Sequence, residues 1–120
     1  QIILFREEHS PRTLVNKVDF ISAPGFSDEN IYRPGGPKFL LTNRALFKFN
    51  KQKKRFCLIK IHNNESLENI VKLTGFKFDF DDNITNMSIP NENRIDILRS
   101  KISHMVSEFY PEFADRIWGV

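Results

Sequence analysis

The sequence predicts an α/β domain, and three observations carry that expectation. Short apolar runs with a period of two recur between residues 2 and 80, as half-buried strands require. A helix with readable ends, 66–75, lies between two of these runs, and an amphipathic helix of three-four periodicity occupies 91–109. The length of 120 residues is one domain's worth of chain, and a domain of this size buries roughly two-thirds of its unfolded surface.

Residues 2–7 open on Ile2-Ile3-Leu4-Phe5 and read as a short buried strand. Residues 18–22 alternate as a second strand, closed by Ala23-Pro24-Gly25. The chain over 26–36 is loop-like, and Pro34-Gly35-Gly36-Pro37 is its strongest punctuation. Residues 38–42 and 45–50 read as strands, 50–54 as a polar hairpin tip, and 56–61 as the return strand. Ser66 caps the next helix, with Glu65 and Glu68 at its positive end and Lys72 near its negative end. Leu67, Ile70, Val71 and Thr74 form its stripe, and Gly75 suits a left-handed stop. Phe76, Phe78 and Phe80 alternate toward a final edge strand ended by Asp81-Asp82-Asn83. Ile95, Leu98, Ile102, Met105 and Phe109 mark the long helix, and Pro111 either ends it or begins a short second one. The expected organisation is a sheet domain over 1–80 and a tether with a C-terminal helical segment over 81–120.

Composition narrows the class. Forty percent hydrophobic residues and twelve Phe exclude a disordered chain. No apolar run approaches the roughly 18 residues of a membrane span, so no membrane association is expected. The single Cys57 excludes an internal disulfide framework, and a reducing, cytoplasmic setting fits it. The net charge of +3 hides a block: residues 33–60 hold nine basic and no acidic side chains. Such a block faces either an anionic ligand or solvent. Nucleic acid is not the expected partner, because no RNA-binding signature accompanies the Phe residues, which read as core.

Standard catalytic motifs are missing, and His9, His62 and His104 show no ligand spacing, so no metal is expected. Cys57, between Phe56 and Leu58, reads as a structural thiol. The two glycines of the Pro-Gly-Gly-Pro stretch suit close backbone approach to a ligand, or simply a turn before a strand; spacing leaves both open.

Four segments occur in a particular order: V-D-F-I-S-A-P-G-F (18–26), G-G-P-K-F-L-L-T-N-R-A-L-F-K-F-N (35–50), L-I-K-I-H (58–62) and S-L-E-N-I-V-K-L-T-G-F (66–76). Together they resemble the C-terminal part of the B (beta) subunit of class I CoA-transferases, nearest the glutaconate CoA-transferase and steroid ring-opening hydrolase branch. The resemblance spans about residues 2–80. It implies a three-layer α/β sandwich of the CoA-transferase and sugar-phosphate isomerase type, here its C-terminal half with a C-terminal helix. It also implies an A (alpha) subunit or missing N-terminal half as partner, with acyl-CoA and a carboxylic acid as substrates. In the family a glutamate attacks the acyl-CoA, and a glutamyl-CoA thioester passes CoA to a second acid, with an oxyanion hole assisting.

That glutamate and its glycine-rich loop belong upstream of the segment matching Gln1, so no catalytic residue carries over. Glu7, Glu8, Glu65 and Glu68 do not match it. The family's third glycine is Pro34 here, and its Pro-Gly after the histidine is Asn63-Asn64. The matched residues are His9, Gly25, Gly35, Gly36, Asn43, His62 and Gly75, of which Gly35, Gly36 and Asn43 are the candidates for binding coenzyme A. The expectation is a fragment of a transferase subunit, inactive alone. A ring-opening acyl-CoA hydrolase subunit and a non-catalytic binding or assembly module are the alternatives.

Overall fold

The computed structural model describes residues 1–120, which fall into two compact units, 1–87 and 88–120. The first unit is built on a five-stranded sheet in the order β1-β2-β3-β4-β5. Its strands are β1 (Ile2–Arg6), β2 (Pro37–Thr42), β3 (Ala45–Asn50), β4 (Arg55–Ile61) and β5 (Asp79–Asn86). Helix α1 (Leu67–Leu73) crosses between β4 and β5.

The β1–β2 and β4–β5 pairs are parallel, whereas both pairs involving β3 are antiparallel. Four strands therefore run one way and β3 runs against them. Parallel neighbours need long crossovers, which the 7–36 segment and the α1 unit supply. The two antiparallel pairs are closed by short turns.

Alternation selects the core. Leu40, Phe47 and Leu58 are cross-strand neighbours on one face and are buried. Ala45 joins them from β3, Ile70 from α1 and Leu14 from the crossover. Phe47 is fully buried and lies edge-on to Phe78, ring centroids 5.2 Å apart. Phe56 and Phe76 flank it at 6.4 and 6.2 Å. Phe47, Phe56, Phe76 and Phe78 are thus core, as their spacing predicts, whereas Phe80 is 50 % exposed.

Several local readings change. Residues 2–6 do form a strand, but all five are exposed, because β1 is an edge with one neighbour. Residues 18–22 form no strand; Phe20 is 82 % exposed and finds no pairing partner in this chain. The final strand begins at Asp79 and continues through Asn86, so Asp81-Asp82-Asn83 lies within it. Residues beyond Asn83 pair with β4, and Ile84 packs against the core. Gly75 has no left-handed backbone. It is needed because an added Cβ would lie 2.4 Å from the Leu14 carbonyl oxygen, which already accepts from the Gly75 N–H at 2.7 Å.

The second unit is helical. Asn91 caps α2 (Glu92–Ile97), its side-chain oxygen accepting from the Arg94 N–H at 3.0 Å. A π turn over Leu98–Ile102 then leads into α3 (Ser103–Ser107). The periodic stripe predicts one regular helix here. The hydroxyls of Ser100 and Ser103 instead donate to the Asp96 and Arg99 carbonyls, and the Ser103 N–H reaches back five residues to Leu98. Pro111 begins α4 (Pro111–Trp118), which ends at Gly119 with φ 71°.

Candidate functional site at the carboxyl edge of the sheet

The strand directions sort the candidate residues. In open α/β sheets, ligands gather outside the carboxyl ends of the parallel strands. That edge here carries the segments after β1, β2 and β4: His9, Asn43-Arg44 and residues 62–65. The opposite edge carries Gly35-Gly36 and the hairpin tip over 51–54. The structure therefore does not bring Gly36 and Asn43 together; β2 separates them by on the order of 20 Å at about 3.3 Å per residue.

His9 organises the carboxyl edge. It is only 3 % exposed, and its Nδ1 and Nε2 lie 2.8 and 2.9 Å from the hydroxyls of Thr42 and Thr74. Thr74 donates to the Ile70 carbonyl at 2.7 Å, so it accepts from His9 Nε2–H. Thr42 accepts from the Arg44 and Ala45 N–H groups, at 3.2 and 3.0 Å, and its own proton has two acceptors in reach, the Ala45 carbonyl at 3.2 Å and Nδ1 at the shorter 2.8 Å. With the shorter of the two taken and Nε2–H donating to Thr74, the imidazole is neutral and protonated at Nε2. Burial first, and then the positive charge of Arg44, push its pKa down, in agreement.

The Thr42 hydroxyl also replaces the usual hairpin device. Neither Asn43 nor Arg44 has positive φ, so the turn is not of a primed type. Side-chain acceptance of two successive N–H groups holds it instead. Arg44 pairs with Glu65, whose other oxygen accepts from Asn69 at 2.7 Å. The Arg44 Nε–H is buried without an acceptor. Asn43 and His62 remain exposed beside this network. His62 ends β4, its N–H donating to the Arg44 carbonyl at 2.9 Å.

The Glu8 and Glu65 carboxylates at this edge are engaged. Ser10 first, and then Arg12, bind the Glu8 carboxylate and hold its pKa below the usual range. Glu65 is occupied by Arg44 and Asn69. Cys57 lies elsewhere, and burial together with Asp81 and Asp79 pushes its thiol pKa up, which disfavours the thiolate. No cluster of three or more His, Cys, Asp or Glu side chains is arranged to hold a metal.

The glycine loop has its own geometry. Gly36 has φ +117°, and an added Cβ would lie 2.9 Å from the Gly25 carbonyl oxygen. Its own carbonyl accepts from Ile2 N–H at 2.9 Å. Lys51 Nζ donates to the Pro34 and Gly35 carbonyls, at 3.0 and 3.2 Å. Gly35 has open space around its Cα.

Much of the basic block is engaged internally. Lys53 and Arg55 share Asp79, at 3.3 and 3.2 Å, and Lys54 lies over the Phe26 ring. The side chains of Lys48 and Lys60 make no hydrogen bond or ion pair with the chain. Sequence reasoning missed the clamp formed by His9, Thr42 and Thr74, and the Arg44–Glu65 pair. The partners are 33, 65 and 21 residues apart, and no local pattern encodes such distances.

No protein-family model matches the chain. It is 28 % identical over 102 residues to the beta subunit of glutaconate CoA-transferase from Acidaminococcus fermentans, a match covering 79 % of this chain and 38 % of that one. The crystal structure of that organism's glutaconate CoA-transferase superposes with a TM-score of 0.68 at 26 % identity, covering 82 % of this chain and 40 % of that one. Rhodococcus jostii RHA1 IpdAB superposes with a TM-score of 0.72 at 18 % identity, covering 82 % and 41 %. The decarboxylase AibA/AibB gives 0.64 at 23 %, covering 81 % and 36 %. These last two show the shared fold. The chain spans about two-fifths of the length of the relatives that it matches.

Proposed function

We propose that this chain, which resembles a CoA-transferase beta subunit in sequence and fold, works as part of an enzyme that moves CoA between carboxylic acids. The observation that carries the reading is that a sequence relative and a solved structure, each matched over about four-fifths of the chain, are both glutaconate CoA-transferase. In this reading acyl-CoA and a carboxylic acid are the substrates, and no metal takes part. The glutamate that becomes the glutamyl-CoA thioester comes from polypeptide corresponding to the part of the relatives outside the match, and an A (alpha) subunit completes the enzyme. The 120-residue chain by itself is inactive.

The carboxyl edge supports a positioning role. Asn43 presents an exposed amide beside Arg44, at the sheet edge where α/β folds bind ligands. Gly35 and Gly36, at the other edge, serve the same ligand only if it is long, as CoA is. The single free thiol suits a reducing, cytoplasmic setting.

Coexpression with the alpha subunit and the unmatched portion of the A. fermentans beta subunit tests the reading, by following labelled CoA into a second acid. Transfer dependent on this chain supports it. Thioester loss to water without transfer favours a ring-opening type of hydrolase, and a stable but inert complex favours an assembly module.

A further inference from the structure

Three donors converge on one oxygen when His9 takes up a proton. In the neutral ring, Nδ1 accepts the Thr42 hydroxyl proton at 2.8 Å and Nε2–H donates to Thr74 at 2.9 Å. The Thr42 oxygen has two lone pairs, and the Arg44 and Ala45 N–H groups occupy them at 3.2 and 3.0 Å. An imidazolium donates from both nitrogens. Its Nε2–H keeps the bond to Thr74, but its Nδ1–H now needs the Thr42 oxygen as acceptor. The hydroxyl proton can turn to the Ala45 carbonyl, 3.2 Å away, whereas the oxygen has no third lone pair to offer. One N–H of the turn must let go, and the Arg44 bond is the longer of the two.

We propose that His9 and Thr42 form a proton-operated latch on the Asn43–Arg44 turn: protonation of His9 expels the Arg44 N–H from the Thr42 hydroxyl and frees the Asn43–Arg44 peptide, and deprotonation closes it again. The change stays local. The Arg44 carbonyl remains bonded to His62 N–H at 2.9 Å, and the Arg44 guanidinium remains on Glu65. Only the peptide between Asn43 and Arg44 has to rotate, which turns its N–H to solvent beside the exposed Asn43. This turn stands at the sheet edge where α/β folds gather ligands, so acid changes the donors presented there. The latch is argued from the chain's own hydrogen bonds and goes beyond the CoA-transferase reading, which can fail without it.

The elements packed on the ring decide when the latch opens. Arg44 in the turn opposes the imidazolium, and Glu65 before α1 favours it. β3 contributes Phe47, ring centroids 6.1 Å apart, and the α1 C-cap contributes Thr74; neither titrates near neutral pH. On its own segment Glu7 and Glu8 precede His9, and Glu8 is taken by Ser10 and Arg12. Burial outweighs these charges and lowers the pKa, so the latch is closed at neutral pH and opens below about 6.5.

Amide hydrogen exchange of the 15N-labelled chain, read by NMR from pH 8 to about pH 4.5, tests the latch, with the His9 ring shifts reporting its proton. The expected result is that protection of the Arg44 N–H falls at least about tenfold in step with the ring titration. The Gly75 N–H, bonded to the Leu14 carbonyl at 2.7 Å, keeps its protection. In Thr42→Val the Arg44 N–H is unprotected at every pH, and in His9→Asn, which has no titrating ring, it stays protected throughout. The wild-type titration carries the test where a variant does not fold. Four results overturn the proposal: a ring that stays neutral over the whole range, an Arg44 N–H still protected once the ring is charged, joint loss of protection at Arg44 and Gly75, or the same loss at Arg44 in His9→Asn.

Discussion

His9 and Thr74 are hydrogen-bonded at 2.9 Å across 65 residues of sequence, with both side chains buried. The bond fastens the crossover after β1 to the C-cap of α1, while the other ring nitrogen fastens it to Thr42 at the end of β2. One imidazole thus ties three segments of the carboxyl edge. Thr74→Val leaves the Nε2–H buried without an acceptor and should lower stability by about 1–3 kcal/mol. The urea midpoint of the variant checks this, and an unchanged midpoint removes the clamp from the account.

The same histidine makes stability pH-dependent. Its folded pKa lies below the ordinary value of about 6.5, through burial first and Arg44 second. As pH falls below about 6.5 the unfolded chain therefore binds a proton that the native chain resists. The stabilisation is fully present above that pH and is lost on acidification. Urea midpoints between pH 5 and 8 should show the decline, and His9→Asn should flatten it over that window. An equal slope in the variant contradicts the assignment.

Three glycines should respond differently to alanine. Gly75→Ala drives a Cβ into the Leu14 carbonyl and should cost about 2–3 kcal/mol. Gly36→Ala forces φ +117° on an L-residue against the Gly25 carbonyl, at about 1–3 kcal/mol. Gly35→Ala meets open space and should be nearly silent in stability. Thermal melts of the three variants rank them. A loss of CoA binding by the assembled enzyme on Gly35→Ala, with no change in melting, would mark Gly35 as a ligand contact.

Phe47 is the central core side chain, ringed by Phe56, Phe76 and Phe78. Phe47→Ala should destabilise by about 3–5 kcal/mol. Leu46→Ala, at the adjacent position but on the uncovered face, should cost the isolated chain much less. The difference between their denaturation midpoints measures the asymmetry of the two faces.

The legible parts of the fold are those encoded locally. Alternation places Phe47 inward and Lys48 outward, and Ser66 signals the start of α1 by the bond its hydroxyl forms with Asn69 N–H at 3.2 Å. Local pattern misleads where neighbours decide. Residues 18–22 have strand alternation, but they pair with no strand of the sheet. Asp81-Asp82-Asn83 has turn composition, but β4 offers a parallel partner to the residues after it. Gly75 is marked by its place after the helix, yet the reason for it, contact with Leu14, lies far away in the sequence. Asn43 and Gly36 share a sequence segment, and only the length of β2 shows that they stand at opposite edges.

In the proposed function the reactive glutamate lies outside these 120 residues. Incubating the purified chain alone with an acyl-CoA and a second carboxylic acid, and following both CoA transfer and the intact mass of the chain, tests this most directly. The expected result is no transfer and an unchanged mass. A stable mass increase from a glutamyl-CoA thioester on Glu7, Glu8, Glu65 or Glu68, or transfer by the chain alone, would contradict it.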